Sequence, residues 1–440
     1  MQRCWSRVRR LSLLRETVAA DWICHLFWLL RHHERRELLN RSPARWLAVF
    51  WAFSCSAICG AGGQTSSQNP LIRLPILEGK GIRFARFSVE QGLSQSRVDH
   101  MLQDDQGFMW FGTYNGLNRY DGYHFKIYKP EVNNLNSLGG VFITPMLKDR
   151  SGVLWIGVDQ GLDRFDPVAH TFTHFHSNPN DPASLAGLLE HITQDRDGML
   201  WLATRNGLDR LDPASGQITH YRNDPKNPHS LSSNDVRYVL EDRQGTLWVA
   251  TRGALNAFNR RSGSFTRYPN FRKAPLDRIF EDRSGVLWVS STRAGGLASL
   301  DRKTGRFTRY TWFDEGPSSP SVLGCSAMLE DQHGMLWLAT DPDGVVKFDR
   351  KLRQFTRHRN DPSNPTSLSS NVCLSLHEDR EGNIWVGTGV GGVNRFPARR
   401  RRSPPTGKSP VIRIAWIRAS FSLYSKTARE LSGLVRGEEV

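Results

Sequence analysis

The residues best suited to chemistry fall into a few small groups. His170, His174 and His176 lie in one short segment, and His174 and His176 share a face of the strand they predict, offering two imidazoles to a metal. A structural or catalytic zinc takes three or four converging protein ligands. The positions equivalent to His174 elsewhere hold Arg267, Arg309 and Arg357, so a solvated strand edge is expected and no metal is assigned. Asp195-x-Asp197-Gly198 opens like a calcium loop but lacks the distal Glu, and its counterparts carry Ser151, Gln244 and Ser284 at the second Asp; a turn is expected. Trp312 and Phe313 stand beside Asp314 and Glu315 in an insertion. That pairing suits stacking on a glycan, with filling of an internal gap as the alternative. Cys325 and Cys373 begin consecutive repeats, where a disulfide is permitted in an oxidising compartment, against the reading of two buried thiols. No nucleophile and base stand out together, so neither a catalytic constellation nor a cofactor site is assigned.

What must position these residues is a repeat. Asp-x-x-Gly-x-x-Trp occurs seven times, with turn glycines Gly107, Gly152, Gly198, Gly245, Gly285, Gly334 and Gly382 and tryptophans Trp110, Trp155, Trp201, Trp248, Trp288, Trp337 and Trp385. Successive tryptophans are 45, 46, 47, 40, 49 and 48 residues apart, the period of a four-stranded propeller blade. In the third copy, strands are predicted at His191–Gln194, Met199–Thr204, Leu208–Leu211 and Ile218–Tyr221, separated by Asp-Gly and Asn-Gly turns. A polar link follows, Asn223 to Ser232, repeated at Asn360 to Ser369 and in part at Asn180 to Leu185. The fold class is therefore all-β, a seven-bladed propeller of four-stranded antiparallel blades over residues 82–396. The tryptophans read as packing between blades. The Thr or Ser three residues on (Thr113, Thr204, Thr251, Ser291, Thr340, Thr388, with Val158 the exception) reads as a small residue near the channel. The ring is expected to borrow Ile82 to Phe87 for the outer strand missing after Phe396.

The copies DDQGFMWFGTYNGLNRYDG, DRSGVLWIGVDQGLDRFD, DRQGTLWVATRGALNAFN and DREGNIWVGTGVGGVNRF, the lead-in from Phe87 to Gln95 and the Asn-Asp-Pro link resemble the bacterial two-component regulator propeller family. The resemblance covers about residues 82 to 396. It implies an extracytoplasmic sensing region of a membrane receptor, commonly two such rings followed by a β-sandwich, a transmembrane helix and a histidine kinase or diguanylate cyclase. It also implies signalling through paired propellers across a homodimer. The motif is similar, too, to the Asp-boxes of sialidases, which need an arginine cluster, a Tyr nucleophile and acids inside the ring. Arg119, Arg164, Arg210 and Arg395 recur after Gly-Leu-Asn, Gly-Leu-Asp or Gly-Val-Asn, and such recurrence points to scaffold.

The formal charge of +16 resides mostly at the ends: +6 over residues 1–49, +7 over 397–440 and +3 between. A duplex-binding domain concentrates basic residues on its folded part, so no nucleic-acid partner is expected. Residues 1–63 read as an N-terminal extension with a signal peptide or signal anchor. Its apolar run, Trp46 to Ala61, has the length of a signal h-region rather than of a spanning helix. A start near Leu38 or Leu39 and cleavage after Gly63 would leave an ordinary signal; lipidation at Cys55 or Cys59 lacks a good lipobox. Residues 397–440 depart from the repeat. In a shifted frame, synonymous codons for Leu423–Val440 encode LLEDRAGTLWAGTGRGG and those for Val411–Ile417 encode DPHSLD, so an eighth repeat out of frame is expected, against a genuine basic tail.

These readings converge on a periplasmic or extracytoplasmic ligand-sensing propeller, truncated before its output domain and without an enzyme activity of its own. A membrane would be met only through an uncleaved anchor or the lost C-terminal part. The competing readings are a secreted hydrolase or lyase acting on polysaccharide, which requires clustered acids in the channel, and a cytoplasmic interaction scaffold. Function is expected where the copies differ, at the loops on one mouth of the ring.

Overall fold

A computed structural model describes residues 70–398 except 80, 179, 182, 270–274, 292–295 and 313–323. The N-terminal extension, Phe313 and the tail beyond Ala398 lie outside the described residues. Seven antiparallel sheets follow one another along the chain. Blade 3 consists of Leu189–Gln194, Leu200–Thr204, Gly207–Leu211 and Ile218–Tyr221, each within two residues of its predicted bounds. The second strand of every blade is buried along its whole described length except Asp341. Both faces are covered, because each sheet packs between two others.

The seventh blade has three strands of its own, Cys373–Glu378, Ile384–Thr388 and Val393–Phe396. Its fourth comes from the other end of the chain: Ala85–Phe87 pairs antiparallel with Val393–Arg395. This lies within the segment expected to close the ring. Phe87 stacks on Trp385 at 5.5 Å and meets Tyr120 of blade 1 edge-on at 5.4 Å, while Arg86 donates to the carbonyls of Asn364, Ser367 and Leu368. Two further strands were not foreseen. Leu71–Arg73 adds parallel to the outer strand of blade 5, and Ile76–Glu78 parallel to that of blade 6. The N-terminal segment thus straps the rims of three consecutive blades.

The Asp-x-x-Gly-x-x-Trp motif is a single unit rather than a turn followed by a packing residue. One carboxylate oxygen of Asp195 accepts the backbone N–H groups of Asp197 and Met199 at 3.0 and 2.9 Å, and the other accepts the indole N–H of Trp201 at 2.7 Å. The same indole bond recurs from Asp104, Asp149, Asp242, Asp282, Asp331 and Asp379, at 2.7 to 2.9 Å. The turn glycines all have φ between 79° and 94°, which a side chain would strain.

Blades are also joined through this turn. The residue just before each Asp reaches the preceding blade: Glu241 accepts from the Arg196 backbone N–H at 2.6 Å, Glu281 from Arg243 at 2.8 Å, and Gln103 closes the circle by accepting from Arg380 at 2.9 Å. At blade 2 this residue is Lys148, which has no acceptor, and it ion-pairs instead with the side chain of Asp105. Arginines at the ends of third strands add a second link: Arg260 spans Asp195 of blade 3 and Glu241 of its own blade, and Arg302 and Arg350 repeat this one and two blades on.

One assignment needs extension and one correction. The Thr residues, which lie opposite the first buried residues of the innermost strands, also lock the next turn: the Thr204 hydroxyl donates to the Gly207 carbonyl at 2.8 Å and is fully buried, with the equivalent bond at Thr113, Thr251, Thr340 and Thr388. His174 is not a solvated edge. Its Nδ1 meets Asp163 at 2.7 Å and its Nε2 lies 2.9 Å from the Leu135 carbonyl, which ties the preceding link to the buried carboxylate. Arg267 does the equivalent work in blade 4, bonding the carbonyls of Asn227, Ser230 and Leu231.

Candidate functional site

The Asp–Trp unit repeats in every blade, whereas the residues of the innermost strands do not. In six blades a buried residue lies at or next to the start of this strand: Val98, Ile143, Leu189, Val236, Cys325 and Cys373. In these six blades the register against the second strand then shifts. Such a bulge inserts a residue into one strand and re-aims its neighbours. Asp99 with His100, Glu190 with His191, and Ser326 with Ala327 thereby line one cavity of about 190 Å³ on the axis, together with Tyr238, Arg278 and Ser375. All seven blades contribute.

The charges at this site are mostly paired. Arg97 binds Asp99 through two bonds of 2.8 and 2.9 Å, and its guanidinium lies 4.6 Å over the Tyr114 ring. Arg237 pairs with Asp235 at 2.6 Å and lies 3.7 Å from Glu190, which also ion-pairs with Arg205. The His191 ring stacks on Tyr238 with centroids 3.5 Å apart. Burial pushes His100 down to about 4, the Arg278 charge adding to the shift against the opposing pull of Asp99. Burial, then the charges of Arg278 and His100, hold His191 well below its ordinary value. Both imidazoles are therefore neutral at physiological pH. Close by, Tyr114 and Phe142 form an aromatic pair with centroids at 4.2 Å.

None of these channel residues was singled out from the sequence. The signal was nevertheless present. With the copies aligned on their tryptophans, the two positions after the first inner residue change chemical class from one copy to the next, while the flanking positions keep theirs.

The residues nominated beforehand lie elsewhere. Trp312 is 5% exposed, packs on Phe355 at 4.9 Å and donates its indole N–H to Asp343 at 3.2 Å. It joins blade 5 to blade 6 and presents no face for a sugar, so the gap-filling alternative is the correct one. The recurrent arginines lean on the scaffold: Arg119, Arg210 and Arg395 lie 6.0, 5.8 and 5.4 Å over Trp110, Trp201 and Trp385. Asp195-x-Asp197-Gly198 is the turn expected of it. Among the described residues no group of three or more His, Cys, Asp or Glu is placed to hold a metal.

Cys325 and Cys373 are free and fully buried. Burial pushes the Cys325 thiol up to about 12 and raises Cys373 as well. Brief alkylation of the native chain followed by peptide mapping is expected to leave both unmodified, and the same treatment in denaturant to label both. Labelling of either before unfolding would contradict their packing.

With the geometry in place, comparison with known proteins is informative. The family model described as "Two component regulator propeller" matches residues 92–115, 230–253 and 367–389. The chain carries two-component regulator propeller repeats. Each matched segment joins the end of a link to an inner strand, the Asp turn and a second strand. Over 55 residues the chain is 44% identical to histidine kinase P4 of Formosa agariphila, covering 12% of this chain and 4% of that one. The propeller repeats superpose on the extracellular domain of a hybrid two-component system from B. thetaiotaomicron with a TM-score of 0.63 and 28% identity, over 72% of this chain and 42% of that domain. The chain therefore spans about two fifths of the extracellular domain it matches. Virginiamycin B lyase from Staphylococcus aureus aligns over 72% of this chain and 99% of its own, with a TM-score of 0.54 and 12% identity, a likeness of fold alone.

Proposed function

We propose that this chain is an extracytoplasmic ligand-sensing propeller of a two-component-type receptor and that its ligand enters the axial cavity. The observation carrying this reading is the convergence of all seven blades on one axial cavity, lined by inner-strand residues that change chemical class from blade to blade, while the Asp–Trp unit is kept in every blade. Similarity to a sensor's extracellular domain supports the location. In this reading the ring works in pairs across a dimer and passes ligand occupancy to an output module. Two measurements test it. A phosphatase reporter that is active only outside the cytoplasm, fused to the full chain, is expected to be active; an inactive fusion beside an active cytoplasmic control would sink the location. A thermal-shift screen of sugars and organic acids is expected to yield a stabilising ligand, since about a hundredfold excess over Kd adds about 2.7 kcal/mol. Tyr238→Ala should abolish that stabilisation, and Tyr123→Ala, on the outer surface, should not.

The channel does contain the acids that a polysaccharide hydrolase or lyase would require, Asp99 and Glu190. Each is bound to arginine, whereas a general acid must hold a proton near its working pH. Glycan cleavage by the purified chain that is lost in Glu190→Gln would favour the enzyme reading.

A further inference from the structure

Resting on the proposal that the axial cavity is the ligand site, we infer that Arg278 is its anion receptor and that the ligand is a small carboxylate. Of the arginines at the channel, Arg97, Arg205 and Arg237 each hold a carboxylate. Arg278 does not. Its Nε donates to the Ser326 carbonyl at 2.5 Å and its Nη1 to the Asp277 carbonyl at 2.8 Å. These bonds fix the plane of the guanidinium and leave its charge without an ionic partner among the described residues.

The position of that charge is equally specific. Arg278 belongs to blade 5, yet its field acts on His100 of blade 1, His191 of blade 3, Tyr238 of blade 4 and Cys325 of blade 6. It lines the cavity to which all seven blades contribute, bonded to Ser326 of blade 6 and beside Tyr238 of blade 4. The Tyr238 ring lies 5.7 Å from the guanidinium and walls one side. A half-buried cation without a counter-charge is costly, and a guanidinium held through Nε and Nη1 leaves Nη2 without a hydrogen-bond partner among the described residues, a donor for a carboxylate. The imidazoles of His100 and His191 line the same cavity without adding a competing negative charge. A cavity of 190 Å³ holds on the order of ten waters, the scale of a small organic anion.

The test is calorimetric titration of the full chain, at fixed ionic strength, with acetate, pyruvate and glucuronate, and with glucose as the uncharged partner of the last. At least one carboxylate is expected to bind and glucose not to. Arg278→Gln should weaken binding about tenfold to a hundredfold, and Arg278→Lys should recover part of it, which separates loss of charge from loss of fold. Arg205→Gln, which removes a paired arginine, should have a smaller effect. Binding of none of the three carboxylates, or equal binding by wild type and Arg278→Gln, overturns the inference. Tight binding of glucose that ignores Arg278 overturns it too, while leaving the sensing role of the cavity intact.

Discussion

A chain shortened to begin at Ser88 is expected not to form a closed ring. Such a truncation removes Ala85–Phe87, the fourth strand of blade 7 among the described residues, and with it Phe84, which is 5% exposed and packs with Trp337 and Cys373. Loss of a buried Phe alone costs about 3–5 kcal/mol. The Arg86 clamp and the Phe87 stack on Trp385 are lost in addition, and the outer edge of Val393–Phe396 is left unpaired. The sum approaches the whole net stability of an ordinary domain, about 5–15 kcal/mol. A chain beginning at Gly81 keeps the closing strand and loses only the two parallel additions with Leu74, at a cost of about 2–4 kcal/mol. Denaturant unfolding and size-exclusion chromatography of the two truncations decide the matter; similar midpoints would mean that the ring does not depend on this strand.

Asp195→Ala is expected to destabilise the ring by about 3–5 kcal/mol, the range for removing one partner of a buried ion pair. The carboxylate is fully buried. Although burial raises its pKa, bonds from Trp201, Arg260 and the Met199 N–H outweigh that and hold it below the ordinary value. Without it, the indole N–H of Trp201 and the Met199 amide lose their acceptor, while Arg260 retains Glu241 and Asp197. Asp104→Ala supplies the comparison, because that carboxylate makes the same turn and indole bonds without an arginine. Its cost should be smaller, about 2–3 kcal/mol. Equal costs at the two sites would assign the stabilisation to the turn and the indole alone and leave the blade-to-blade arginine without a role.

The architecture was legible because each repeat carries its own punctuation: positive-φ glycines, an Asn-Gly turn and a tryptophan at a fixed offset fix the strands of blade 3 to within two residues. The partnership of Asp195 with Trp201 was less so. A carboxylate in a turn and an aromatic in a strand each have a sufficient local explanation, and only their constant six-residue offset hints that they bond. Trp312 was left between two readings for a related reason. Sequence marks it as an aromatic in an insertion, whereas burial depends on Asp343 and Phe355 of the next blade offering an acceptor and a ring. The parallel strands Leu71–Arg73 and Ile76–Glu78 precede the repeat, and no periodicity announces a pairing partner more than two hundred residues away. The axial site was hidden because its residues look like ordinary alternation along an inner strand until the bulge sets two neighbours side by side.

That bulge has an evolutionary consequence. The extra residue belongs to the innermost strand alone, so exchanging it leaves the Asp–Trp unit of each blade untouched. A ring of such positions behaves as an interchangeable set: substitutions there are free to drift toward a new chemical preference at little cost to folding, and duplicated genes of this kind could diverge in what they detect without first evolving a new scaffold.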